Sequence, residues 1–291
     1  MDYRLTHRTI YEYTGRVTVS HHAARLTPMA GGTQRVSGFS LTISPTPAVR
    51  KESRDYFGNQ VCFFAIQERH QTFEVVAASQ VTVDAPTLPL PGLSPEWEKV
   101  AARFRDPVSP SDVAPYEFCF DSPLVRLAPE YAEYARGSFP PGRSLLDGVR
   151  DLMGRIHSDF RYDKVATTIA TPIEEVWAKR HGVCQDFAHM AIACLRSLGL
   201  PARYVSGYLR TYPAAGQRRL VGADASHAWF SVYCPGTGWV DFDPTNDVIP
   251  GDGHITVAIG RDFRDVSPLS GILTGGGEHE MRVSVDVEAC D

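Results

Sequence analysis

Alternation with a period of two runs through the first eighty-odd residues. In YRLTHRTIYEY, Tyr3, Leu5, His7, Thr9 and Tyr11 fall on one side, with charged or polar neighbours on the other. That is the pattern of a strand buried on one face. FSLTI places Phe39, Leu41 and Ile43 on one face in the same way, and DYFGN (residues 55–59) reads as a turn. Two further strands are expected around VCFFAI and TFEVVAASQVTV. No helical period interrupts them, which predicts a β-sandwich-like domain over residues 1–85.

PTLPLPGLSP follows, with Pro86, Pro89, Pro91 and Pro95 inside residues 86–96. Proline at that density forbids helix or central strand and suits an extended linker. The period then lengthens. Leu145, Leu146, Val149, Leu152, Met153 and Ile156 recur at helical spacing, and Thr171-Pro172-Ile173-Glu174 reads as a capping box opening a helix that ends near Arg180. From Cys184, the residues Phe187, Ala188, Ala191, Ile192, Leu195 and Leu198 form a broad apolar stripe that Gly199 and Pro201 stop. Strands are expected at RYVSGYL, HAWFSVY and GWVDFD, with MRVSVDV as a closing strand. The prediction is an α+β fold with its second domain over residues 97–291.

Composition narrows the chemistry. The chain has 291 residues, 43% hydrophobic and 22% charged, which suits a folded globular protein with a large core. Its net charge of −5 argues against a nucleic-acid or polybasic membrane surface. No apolar run is long enough to span a bilayer. MDYRLTHRTIYEY lacks the parts of a secretory signal, and six cysteines without paired short spacings make no disulfide scaffold, so a reducing cytoplasm is expected. The sequence has no CxxC, HExxH or glycine-rich phosphate loop, and the glycine run 275–277 reads as a turn. No metal or cofactor is expected.

HGVCQDFAH, residues 181–189, puts a cysteine where the apolar stripe begins. A thiol attacks as thiolate, and the positive end of a helix favours that anion. Cys184 is placed to benefit, whereas Cys194 lies deep in the same helix and reads, like Cys62 and Cys119, as a buried packing residue. A nucleophile needs a base. His227 in DASHAWFSVY shares a strand face with Trp229 and Ser231, and reads either as that base or as a satisfied core histidine. His189 points about 140° around the helix from Cys184, so it and His181 read as bystanders. His227 and Asp243 are equidistant from Pro235, so a turn at Pro235-Gly236 would set them nearly opposite on paired strands. Asp241 shares the face of Asp243 and leaves the register open. Cysteine at a helix start with histidine and aspartate on paired strands is the arrangement of a thiol acyl-transfer triad.

GVCQDFAH, then LRSLGLPARYVSGYL, then DASHAWFSVYCPGTGWVDFDPTN resemble the core of the bacterial transglutaminase-like superfamily, papain-like enzymes with the chain order Cys, His, Asp. THRTIYEY and RDYFGN resemble the β-rich region preceding that core in bacterial members, and HITVAIGRDFRDVSPLSG its usual continuation. The resemblance implies a papain-like core with Cys184 as nucleophile, His227 as base and Asp243, not Asp241, as orienting acid. It implies hydrolysis of a peptide or other amide substrate through a thioester. Transfer of the acyl group from glutamine side chains to amines is the alternative, and a non-enzymatic binding module a more distant one. The backbone N–H of Cys184 would be one oxyanion donor. Tyr162 is the candidate for the second, against a plain core or rim tyrosine. Asp186 suits the first helical turn but would oppose a neighbouring thiolate unless paired elsewhere. Trp229 would shield the triad or simply fill the core. Asp224, Arg261 and Asp262 read as solvated loop charges.

Overall fold

Strand β1 (Asp2–Ala24) is twenty-three residues long and alternates buried with exposed positions over its first half. In the computed structural model, which describes residues 1–87, 90–106, 109–163, 171–211 and 225–290, it is the spine of the N-terminal sheet. Strands β2 (Gln34–Ser44), β3 (Val49–Arg54), β4 (Gln60–Ile66) and β5 (His70–Val83) complete the order β2-β5-β1-β4-β3, all antiparallel. β5 pairs with the first half of β1 and β4 with its end, so one long strand serves two neighbours in succession. The expected sandwich-like region is thus one sheet, curled around Val17, Leu41, Phe64, Phe73 and Val75.

Two more strands of this sheet come from the far end of the chain. β12 (Leu269–Gly275) and β13 (His279–Cys290) pair with β1 on its remaining side, joined through the glycine turn at 275–277. The closing strand assigned by sequence to the second domain therefore belongs to the first domain's sheet. Residues 86–96 carry no helix or strand among those described; Leu88 and Pro89 lie outside them.

Helices α1 (Trp97–Arg105), α2 (Pro110–Tyr116), α3 (Pro129–Arg136), α4 (Leu145–Asp159) and α5 (Ile173–Lys179) precede α6 (Cys184–Ser197), which α3, α4 and α5 pack against and which is buried along most of its length. α5 starts one residue later than expected: Pro172 is its N-cap and no side chain caps it. Short strands β6 (Arg161–Tyr162) and β7 (His181–Gly182) pair in parallel and lead into α6. The second sheet has the order β10-β9-β8-β11, from β8 (Ala202–Leu209), β9 (Ala225–Cys234), β10 (Gly238–Phe242) and β11 (His254–Gly260). Along β9 the set Ala228, Phe230, Val232 and Cys234 joins the core that holds α6. The alternate set, His227, Trp229 and Ser231, is turned to the sheet's other face.

The two sheets also pack on each other. Tyr3, Leu5, Val81, Val83, Val285 and Val287 of the first pack on Tyr208, Ile255 and Val257 of the second. His7 Nδ1 is 2.9 Å from the Tyr208 hydroxyl and its Nε2 3.0 Å from Thr9 Oγ1.

β11 is an edge strand, and an edge offers unpaired N–H and C=O groups. Here two side-chain amides occupy them. Gln34 Nε2 donates to Thr256 O at 2.8 Å while its Oε1 accepts from Thr256 N–H at 2.9 Å. Asn59 Nδ2 donates to Ile259 O and its Oδ1 accepts from Ile259 N–H, both at 2.8 Å. Outward-facing residues of a strand recur every second position, and a register shift between Thr256 and Ala258 moves the second of them to Ile259. Gln34 and Asn59 are both buried.

Candidate active site

Cys184 is the first residue of α6 and half-buried. The first-turn N–H groups of a helix have no intrahelical partner and carry the positive end of its dipole, and this thiol stands beside them. Asp186 stands two residues on. Its Oδ2 turns back to accept the Val183 N–H at 2.8 Å, capping the helix, and the side chain is buried. Gly182 makes room for that turn: a Cβ there would stand 2.5 Å from Asp186 Oδ2.

His227 and Asp243 meet this helix start. His227 Nε2 donates to Asp243 Oδ2 at 2.8 Å, both side chains being buried. The ring also hydrogen-bonds the Cys184 side chain, and with Nε2 engaged by the carboxylate, Nδ1 is the nitrogen left for sulfur. Burial alone would lower the pKa of His227. The hydrogen bonds and charges of Asp243 and Cys184 outweigh it and push the value up to about 10. At Asp243 burial opposes ionisation too, yet hydrogen bonds from His227, His254 and Asn246 hold the carboxyl well below the usual carboxylate range.

The aspartate reaches the histidine by a different register from the expected one. Gly238 pairs with Cys234 and Phe242 with Phe230, so the turn is centred on Gly236 and leaves Asp243, just past β10, diagonal to His227 rather than opposite it. Asp241 repeats the same diagonal step one pair along: its Oδ2 accepts from Trp229 Nε1 at 3.1 Å and its Oδ1 from Ser231 Oγ. The two aspartates that sequence left unresolved hold different partners. Trp229 is fully buried beside His227, over Gly207, where a Cβ would stand 2.5 Å from the indole.

The remaining candidates divide. Tyr162 is 44% exposed, its ring 6.3 Å from that of Phe187; burial and then the charge of Cys184 raise its pKa, which places the phenol in the electrostatic reach of the sulfur. His189 is buried away from the site, with Nε2 accepting the Phe263 N–H at 3.1 Å. Asp262 corrects the expectation of a solvated charge: it is fully buried and accepts the Leu124 and Arg264 N–H groups. Arg261 is half-buried and paired with Asp265 at 2.8 Å. Asp224 lies outside the described residues.

Two residues that sequence reasoning passed over close the cluster. Asn246 Nδ2 donates to Asp243 Oδ2 at 2.7 Å, and His254 Nε2 lies 3.1 Å from the same oxygen. His254 stands edge-on to Trp229, ring centroids 5.3 Å apart at 85°. His227 Nε2, Asp243 Oδ2 and His254 Nε2 lie within 4.8 Å of one another and are of metal-ligating type, though hydrogen bonds already join them. Behind the sheet, a cavity of about 440 Å³ opens between it and the N-terminal domain, lined by His254, Trp229, Asp241 and Gln34. Cys184 is not on its wall.

Comparison with known proteins bears on the family and the fold. Residues 3–82 match the family described as bacterial transglutaminase-like N-terminal region, and residues 132–244 match the transglutaminase-like superfamily. An uncharacterized protein of Mycobacterium tuberculosis H37Rv is 44% identical over 294 residues, covering 98% of this chain and 92% of that protein. A Mycobacterium leprae protein, also uncharacterized, is 32% identical over 292 residues, covering 98% and 97%. A protein-glutamine gamma-glutamyltransferase of Pseudomonas aeruginosa is 30% identical over 126 residues, 38% of this chain and 19% of its own length. Among solved structures, a candidate cysteine protease from Cytophaga hutchinsonii superposes with a TM-score of 0.74 over 100% of this chain and 92% of its own; at 21% identity it speaks for the fold alone.

Proposed function

This chain belongs to the transglutaminase-like superfamily, with the bacterial transglutaminase-like N-terminal region ahead of its core, and from that premise we propose that it is a cysteine-dependent amide hydrolase with Cys184, His227 and Asp243 as its triad. The observation that carries the reading is His227, bound on one side by Cys184 at a helix start and on the other by buried Asp243. That arrangement suits a thiolate facing an imidazolium.

The chemistry follows from the positions. The Cys184 sulfur attacks the amide carbonyl carbon, and the carbonyl oxygen takes up the negative charge. The N–H of Cys184 and the hydroxyl of Tyr162 are the donors offered to it. His227 gives its Nδ1 proton to the departing nitrogen as the C–N bond breaks, leaving a thioester and a free amine. Water then attacks the thioester while His227 takes a proton from it. The C–S bond breaks, an acid leaves, and the thiolate–imidazolium pair is restored. Asp243 holds the ring in the Nε2–H tautomer throughout.

The second reading, transfer of the acyl group to an amine, is favoured by the similarity to the Pseudomonas glutamyltransferase. It differs only in what attacks the thioester. Mass spectrometry after brief iodoacetamide treatment near neutral pH tests the triad: Cys184 is expected to alkylate at least tenfold faster than any other cysteine. Uniform labelling of the accessible thiols would defeat the proposal. A glutaminyl peptide with a labelled amine then separates the outcomes, ammonia release alone marking hydrolysis and amine incorporation marking transfer.

A further inference from the structure

Asp243 binds more donors than orienting one histidine requires. Its Oδ1 accepts the backbone N–H groups of Thr245 at 3.0 Å and Asn246 at 3.3 Å. Its Oδ2 faces Asn246 Nδ2 at 2.7 Å, His227 Nε2 at 2.8 Å and His254 Nε2 at 3.1 Å. An ionised carboxylate only accepts, so each of those nitrogens must carry the hydrogen. This fixes His254 in the Nε2–H form. The three donors to Oδ2 come from three places: β9, the turn after β10, and β11. A carboxylate gripped from three directions cannot rotate about its Cβ–Cγ bond without breaking one of them.

His254 is itself held. It is the first residue of β11, paired with Leu209 of β8, and its side chain is 8% exposed, leaning on the Trp229 indole. The outer edge of β11 is fastened by Gln34 and Asn59 from the N-terminal sheet. A continuous run of contacts therefore links that sheet to the sulfur: Gln34 and Asn59 to β11, His254 to Asp243, Asp243 to His227, His227 to Cys184.

We infer that His254 is a positioning residue for Asp243, and that the N-terminal sheet sets its place by holding β11. The inference rests on the triad proposed above. His254 touches neither the sulfur nor the nitrogen of His227 that faces it. Losing its hydrogen bond frees Asp243 to turn, and the imidazole it orients loosens in consequence. Supporting groups of this kind change activity by about 10- to 100-fold where they orient metal ligands, and the same scale is expected in kcat here. KM should stay within about twofold, because no substrate contact is lost.

The test compares H254F, which keeps a ring against Trp229 but has no donor, with H254Q, whose amide can present an N–H near the position of Nε2. Kinetics use the glutaminyl peptide, and ¹H–¹⁵N spectra of the histidine rings report the low-field His227 Nε2–H signal. H254F should lose at least tenfold in kcat, hold its KM, and broaden or shift that signal. H254Q should recover kcat to within about threefold of wild type, and Gln34→Leu should lower kcat without touching the cluster. Wild-type kcat and an unchanged signal in H254F would overturn the inference, as would H254Q falling as far as H254F. Should either variant fail to fold, the wild-type ring spectrum decides: an unprotonated His254 Nε2 refutes the hydrogen bond. Slow Cys184 alkylation and no turnover in wild type would instead refute the triad itself, a result distinct from an active wild type indifferent to His254.

Discussion

Replacing Asn59 by alanine removes the fully buried half of the joint between the two sheets. Asn59 makes two hydrogen bonds of 2.8 Å to Ile259 and a third, of 3.0 Å, to Asp55 Oδ2. Each such bond contributes about 1 kcal/mol net. The larger effect lies in what is left behind, since the N–H and C=O of Ile259 then remain buried without partners, at about 1–3 kcal/mol for each group. The penalty at Ile259 already contains the loss of its two bonds, so with the Asp55 bond the total is about 3–7 kcal/mol. At about 2 °C per kcal/mol for a chain of this size, the melting temperature should fall by about 6–14 °C. Urea titration followed by tryptophan fluorescence, with calorimetry alongside, measures both quantities. Gln71→Ala is the control: that amide is exposed, its contact to Thr14 O is 3.5 Å, and its loss should stay within about 0.5 kcal/mol. A loss below about 1 kcal/mol in Asn59→Ala would mean that water replaces the amide without penalty, and that β11 is not held as described.

Gly207→Ala would put a Cβ 2.2 Å from the Ile255 carbonyl oxygen and 2.5 Å from the Trp229 ring. Backbone cannot yield as a flexible side chain does, so a loss of about 2–3 kcal/mol and a shifted tryptophan emission are expected; unchanged fluorescence and stability would refute the packing. Gly182→Ala, pressing on Asp186 Oδ2 at 2.5 Å, should open the cap of α6 and slow Cys184 alkylation severalfold, and an unaltered rate would show that the cap does not place the sulfur. Burial pushes His7 and His189 down to about 4 in the folded protein, from about 6.5 when exposed. The unfolded chain takes up their protons first, so the stability these neutral rings contribute is fully present above about pH 6.5 and is lost as the pH falls toward 4, by about 3 kcal/mol for each ring. Urea midpoints at pH 7.5 and 5.0 test this: His189→Gln should flatten the fall, and an equal slope in wild type and variant would rule the ring out.

The side chains with strong local signals were legible before the fold was. Cys184 announced itself because an apolar stripe at helical spacing began at the thiol, and His227 because it alternated with Trp229 and Ser231. Asp243 was reached through a turn placed one residue too early. The positive backbone angles at Gly236 and Gly238 lengthen that turn, and a two-residue slip in register keeps every side chain on its face. The sequence therefore could not separate Asp243 from Asp241 by pairing. His254 was illegible for another reason. HITVAIG stood out only as the start of a stretch resembling the family's usual continuation, and its first residue gains a role only when β11 pairs with β8 and meets the turn after β10. The same holds for β12 and β13. A period of two says that a strand has a buried face and nothing about its neighbour, so their pairing with β1 across the length of the chain left no local trace. Gln34 and Asn59 stood among unremarkable polar residues for the same reason.

A carboxamide is a peptide group on a stalk, and the joint at β11 uses it as one. On β11, the hydrogen bonds of Gln34 and Asn59 go to main-chain atoms alone, those of Thr256 and Ile259. The joint is therefore blind to which side chains those positions carry, and point substitutions there can accumulate as long as the strand persists. It is not blind to length. The two contacts are counted in peptide units, one at Thr256 and one at Ile259, with the bulge between them setting the interval. Adding or deleting one residue inside that interval would put at least one amide out of step with its partner. This short stretch should tolerate drift in spelling far better than a change in letter count.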